Sequence, residues 1–161
     1  MSLVPKHIKE LKPYVAGKSK KEFKRKFGNK EPIKLASNEN PLGCSPKSID
    51  KLDNHINNCN RYPDSSGFEL RKKLADIYDL DMNNVIIGSG SEGIMSNVMR
   101  TFLSRNDKII SSMNSFIGFR VLADASGYHT DWVPMKNYHY DLEGIANKID
   151  DQTKIIYLAN P

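Results

Sequence analysis

Apolar positions change their rhythm near residue 67. Before it they are sparse: Phe23 and Phe27 stand four apart in a lysine-rich stretch, and Ile33-Lys34-Leu35-Ala36 precedes a string of turn formers. After it, helical spacing and short apolar runs take turns. Leu70, Leu74 and Ile77 repeat at helical intervals and predict a helix over 68–79, whereas the compact run Val85-Ile86-Ile87 predicts a strand over 84–88. The same reading predicts helix 92–103, strand 107–112, helix 116–126, strand 129–134, helix 141–149 and strand 153–158. Such alternation predicts an α/β fold, a mostly parallel sheet with crossover helices.

The first part reads differently. Pro5 to about Phe27 predicts two short polar helices broken near Pro13 and Gly17, and Ile33 to Ala36 a short strand. Ser37-Asn38-Glu39-Asn40-Pro41-Leu42-Gly43 forces turns. A helix follows from Pro46 to about Asn57, then an irregular stretch from Asn58 to Ser66. The expected division is an arm and the start of a small domain over 1–60, with an incomplete larger domain over 61–161.

Charge and cysteine content change this picture little. The net charge is +5, from 24 Lys+Arg against 19 Asp+Glu. Lys20-Lys21-Glu22-Phe23-Lys24-Arg25-Lys26 reads as a solvated amphipathic helix in preference to a nucleic-acid contact. Cys44 and Cys59 stand without a CxxC pair or a nearby histidine, so neither a zinc site nor a disulfide framework is indicated. No apolar stretch reaches the roughly 20 residues needed to span a bilayer. A cytoplasmic protein with no membrane, nucleic-acid or metal partner is expected. His7, His55, His129 and His139 share no ligand spacing, and Asp79 with Asp81 and Asp150 with Asp151 read as turn or capping carboxylates.

Candidate chemistry centres on Gly88-Ser89-Gly90-Ser91-Glu92-Gly93. Glycines after a strand allow a tight turn, and the N–H groups opening the next helix then face an anion with the helix dipole behind them. The spacing formally matches the GxGxxG of dinucleotide-binding folds. That reading also requires an acid closing the second strand; Asp107 opens it instead, and a nucleotide-binding domain is the weaker alternative.

Four segments carry a more specific resemblance: Lys34 to Gly43, Arg61-Tyr62-Pro63-Asp64, Gly88 to Glu92, and Asn114-Ser115-Phe116-Ile117-Gly118-Phe119-Arg120. In this order they resemble the N-terminal half of the pyridoxal-phosphate aminotransferases of fold type I, and among them the histidinol-phosphate aminotransferase family. The resemblance implies pyridoxal 5'-phosphate as cofactor. Gly90, Ser91 and Glu92 would form its phosphate cup, Phe116 would stack on its ring, and Tyr62 would reach the cofactor phosphate of the other subunit in a homodimer. Asn38, Glu39 and Asn40 would line the substrate side. The implied reaction is amino transfer between a small-molecule amino donor, histidinol phosphate, and a 2-oxo acid, 2-oxoglutarate.

The Schiff-base lysine, the acid that holds the pyridine nitrogen and the substrate-clamping arginine are expected beyond Pro161. Tyr157-Leu158-Ala159-Asn160-Pro161 resembles the strand leading into the family's Asn-Pro-x-Gly turn, and Asn160 precedes that turn's asparagine. By the same resemblance, strand 84–88 would lack its sheet neighbours within these residues. A polypeptide of these residues alone is therefore expected to be poorly stable and inactive. A non-catalytic complementing fragment and another fold type I enzyme are the alternatives.

Overall fold

A computed structural model describes residues 2–28 and 30–160, the side chain of Asn54 excepted. Pro161, which closes the terminal motif, lies outside the described residues. The chain forms two units, one of Met1–Pro13 with Glu69–Pro161 and one of Tyr14–Phe68.

In the larger unit, α1 (Lys6–Lys9), α5 (Gly90–Phe102), α6 (Ile117–Ser126) and α7 (Leu142–Ala146) accompany three strands, β1 (Lys108–Ser112), β2 (His129–Val133) and β3 (Thr153–Tyr157). The strands are parallel and ordered β2-β1-β3. This is the predicted parallel sheet with crossover helices, α6 carrying the chain from β1 to β2 and α7 from β2 to β3.

Because β1 has a neighbour on each side and helices over both faces, all five of its residues are buried. Alternating side chains leave a strand on opposite faces. Ile109 accordingly joins Met99, Leu103, Phe119 and Ala123, while Ile110 joins Val133 and Ile145. The rings of Phe119 and Tyr157 stack at 3.7 Å between centroids.

Polar groups in this strand are all engaged. Ser111 Oγ donates to the Tyr157 carbonyl at 2.9 Å, and Ser112 Oγ to that of Val133 at 3.0 Å. Lys108, 6% exposed, donates to Asp131 Oδ2 (3.1 Å), Asp150 Oδ2 (2.8 Å) and the Lys148 carbonyl (2.8 Å). One buried ammonium thereby ties β1, β2 and the turn before β3, and this arrangement could not be read from spacing. Burying it without these acceptors would be costly.

α4 (Phe68–Tyr78) spans the boundary between the units, and α2 (Lys20–Phe27) and α3 (Pro46–His55) belong to the smaller one. Ser19 caps α2 by accepting from Glu22 N at 3.1 Å, and Pro46 begins α3, where its missing N–H costs nothing.

Two predicted strands are absent. Residues 84–88 and 33–36 are irregular, because a strand exists through its ladder and neither segment has a pairing partner among the described residues. A 3₁₀ turn, Met82–Asn84, opens the first of these segments, and Arg71 donates to the Val85 and Met82 carbonyls at 2.9 and 2.8 Å. The predicted helix over 141–149 is regular only to Ala146. Lys148 and Ile149 then turn more tightly, donating three residues back to Ile145 and Ala146.

Candidate active site

α5 begins at Gly90, two residues before the predicted start. Gly90 has φ +69, and a Cβ built on it would meet nothing within 4 Å, so the turn keeps an open side. Its N–H bonds the Gly88 carbonyl at 2.8 Å, and Gly93 N reaches the Ser89 carbonyl at 3.3 Å. Between them, the Ser91 and Glu92 amides belong to the first helical turn, which has no preceding carbonyls to bond. Two such amides, the Ser91 hydroxyl and the positive end of a 13-residue helix make a donor set suited to a phosphate monoester. The residues present therefore fit the phosphate of pyridoxal phosphate. Glu92 adds a carboxylate in the same turn, which favours the helix.

Phe116 is the N-cap residue of α6 and is 48% exposed. Its ring lies back over Gly118: a Cβ there would stand 2.6 Å from Phe116 Cε1, so only glycine lets the ring take this seat. Asn114, at φ +58, turns the chain between β1 and Phe116, a conformation asparagine tolerates.

Phe116 opens onto a cleft of about 720 Å³, lined also by Asn114, Ser115, Tyr138, Tyr140, Tyr157 and Asn160. The cleft lies off the C-terminal ends of the strands, where ligands of open parallel sheets bind. Burial, and then the neighbouring Tyr140 phenol, push the Tyr157 hydroxyl above its ordinary value. No lysine lines this cleft among the described residues. The dinucleotide alternative finds no acid at the end of β1, where Ser111 and Ser112 are already bonded.

The other predicted residues belong to the smaller unit. Glu39 pairs with Lys34 Nζ at 2.5 Å, and Asn40 closes its own turn, donating to the Gly43 carbonyl and accepting from Leu42 N, both at 3.0 Å. Asn38 is exposed. Tyr62 is fully exposed, while Asp64, two residues on, accepts from Ser66 Oγ (2.6 Å), Ser66 N (3.0 Å) and Phe68 N (3.2 Å). The Ser66 hydroxyl foremost, then these amides, hold the Asp64 carboxyl below the ordinary carboxylate range. Asp64 thus sets the loop that displays Tyr62, a capping role that sequence reading passed over.

Along its whole length the chain is 37% identical to histidinol-phosphate aminotransferase 1 of Idiomarina loihiensis and to histidinol-phosphate aminotransferase 2 of Pasteurella multocida. By sequence, the chain is a homologue of the histidinol-phosphate aminotransferases. It spans 44% of the length of either relative and corresponds to their N-terminal portion. No protein-family model matches it. The crystal structure of histidinol-phosphate aminotransferase from Sinorhizobium meliloti in complex with pyridoxal-5'-phosphate superposes with a TM-score of 0.84 at 23% identity. That match covers 100% of this chain and 43% of that one. The fold is therefore that of the fold type I aminotransferases, of which these residues form part.

Among the described residues, no helix is long and apolar enough to cross a membrane, and no three His, Cys, Asp or Glu side chains gather as metal ligands.

Proposed function

We propose that the chain is the cofactor-gripping N-terminal portion of a pyridoxal-phosphate-dependent aminotransferase acting on histidinol phosphate and 2-oxoglutarate in histidine biosynthesis. The observation that carries this reading is the likeness to histidinol-phosphate aminotransferases over all 161 residues at 37% identity.

In this reading Gly90, Ser91 and Glu92 form the phosphate cup: the Ser91 and Glu92 N–H groups and the Ser91 hydroxyl hold the cofactor phosphate, and Gly90, whose own N–H bonds the Gly88 carbonyl, supplies the turn. Phe116 lies against one face of the ring and keeps water from it. Pyridoxal phosphate, when bound, supplies the electron sink for proton removal at the substrate α-carbon. The amine that bonds it, the acid at the pyridine nitrogen and the carboxylate clamp come from outside these residues. Tyr62 donates its hydroxyl to the cofactor phosphate of a second subunit, which makes the active protein a homodimer. The Asn38–Asn40 loop borders the substrate. The unpaired Cys44 and Cys59 suit a reducing cytoplasm.

The test uses the polypeptide as expressed from its native coding sequence, purified and assayed for amino transfer from histidinol phosphate to 2-oxoglutarate with added pyridoxal phosphate. Turnover that falls roughly fivefold or more in Phe116→Ala supports the reading, since ring contacts contribute on the order of 1 kcal/mol. A product of that coding sequence that extends beyond these residues, yet neither binds pyridoxal phosphate nor transfers the amino group, contradicts it.

A further inference from the structure

Three loops leave the sheet on the side of the cleft, one after each strand, and one phenol joins all three. Tyr140 sits just before Asp141, the N-cap of α7, and is partly buried. Its hydroxyl lies 2.5 Å from the Ala159 carbonyl, past the end of β3, and 3.2 Å from Ser115 Oγ, past the end of β1. The direction of these bonds follows from their chemistry. A carbonyl only accepts, so Tyr140 donates to Ala159. Its oxygen is then the acceptor and Ser115 the donor. The result is a one-way chain, Ser115 to Tyr140 to Ala159.

Each end of the chain adjoins a residue of the cleft: Ser115 precedes Phe116, and Ala159 precedes Asn160. Ladder bonds hold the strands themselves, and the Ser111 hydroxyl adds a side-chain bond to the Tyr157 carbonyl at the end of β3. Past that point the Tyr140 hydroxyl spans the loops. Phenylalanine at 140 would fill the same space and break both bonds.

We propose that Tyr140 is a positioning residue. Its hydroxyl fixes the seat of Phe116 relative to the segment that carries Asn160, and so sets the pocket face against which the cofactor ring lies. For the cofactor's place the proposal rests on the functional reading above; for the tether it rests on geometry.

The test is Tyr140→Phe in the polypeptide expressed from the native coding sequence, with Tyr128→Phe as control. Tyr128 also donates to a carbonyl, that of Leu103 at 3.5 Å, but outside the cleft. Amide exchange is followed by mass spectrometry in cofactor-free protein, and pyridoxal phosphate is then titrated by absorbance and visible circular dichroism. Tyr140→Phe should speed exchange roughly fivefold in peptides covering 113–118 and 158–160, the loss expected for one hydrogen bond. It should weaken pyridoxal phosphate binding by a similar factor and reduce the induced dichroism, while Tyr128→Phe does neither. Ser115→Ala, which removes the other half of the chain, should move the same peptides and stands in if Tyr140→Phe does not fold.

Unchanged exchange in both peptides overturns the proposal, as do unchanged affinity and dichroism in a protein that binds pyridoxal phosphate. A wild-type protein that binds none overturns the functional reading instead, and exchange then decides the tether alone.

Discussion

The sheet unit and the stretch Tyr14–Phe68 are built on opposite terms. Ile109 and Ile110 are 0% exposed, and the core residues, Met99, Phe119, Val133 and Ile145 among them, all belong to the sheet unit. Among the described residues of Tyr14–Phe68 none is buried, and Leu35 is 92% exposed. Yet Asn38, Glu39, Asn40 and Tyr62, half of the proposed site, are carried there. The difference teaches that the proposed phosphate and ring contacts sit on elements with a buried core, whereas the proposed substrate loop and Tyr62 sit on segments without a buried residue among those described. The full exposure of Tyr62 suits the proposed contact with a second subunit.

The sharpest way to break this contrast is a pair of deletions. Ile110→Ala should destabilise by about 2–5 kcal/mol in urea unfolding, as buried isoleucine truncations do. Leu35→Ala, at a residue 92% exposed, should stay within about 0.5 kcal/mol. Equal losses would mean that Tyr14–Phe68 gains a core on assembly and that the contrast belongs to these residues alone.

A large effect is also expected at Lys108, with a distinctive pH signature. Its hydrogen bond to Asp150 foremost holds the ammonium above its ordinary value, while hydrogen bonds from Lys108 foremost hold Asp131 and Asp150 below the carboxylate range. The carboxylate contributions are therefore complete above that range and vanish as pH falls through the depressed values. The lysine contribution is complete below its ordinary value and vanishes as pH rises through the raised one. Lys108→Met should lower the melting temperature most between about pH 5 and 9, the difference narrowing beyond both limits. A difference flat across the whole range would refute the assignment.

Gly90→Ala should cost about 1–2 kcal/mol, because φ +69 strains any side chain, and should weaken pyridoxal phosphate binding measured by titration. The smallest effect on folding is expected at Tyr62→Phe, within about 0.5 kcal/mol. Its consequence should appear in cofactor affinity, and only under conditions where the protein is dimeric by analytical ultracentrifugation. A Tyr62→Phe protein that binds the cofactor as tightly as wild type would remove Tyr62 from the site.

Much of the sheet unit was legible in the chain. Helices over 68–79, 92–103 and 116–126 and strands near 107–112, 129–134 and 153–158 follow local periodicity, and each forms within about two residues of its predicted bounds. Val85-Ile86-Ile87 misled, since its composition is that of a strand while its state depends on a distant partner. Phe116 stood out only through the surrounding motif, and Gly118 two residues later explains its posture. Tyr140 left no trace in the pattern, because a tyrosine beside an N-cap aspartate reads as one more half-buried ring.

The division has a physical cause. Side-chain period, turn residues and helix caps act within a few residues of themselves, so the sequence alone determined the alternation of elements, the glycine turn at Gly88 to Gly90 and the homology those motifs carry. Hydrogen bonds between segments far apart depend on which strands lie side by side. Only the tertiary structure decided the order β2-β1-β3, the burial of Lys108 between two aspartates, the irregular path of 84–88 and the bridge from Ser115 through Tyr140 to Ala159.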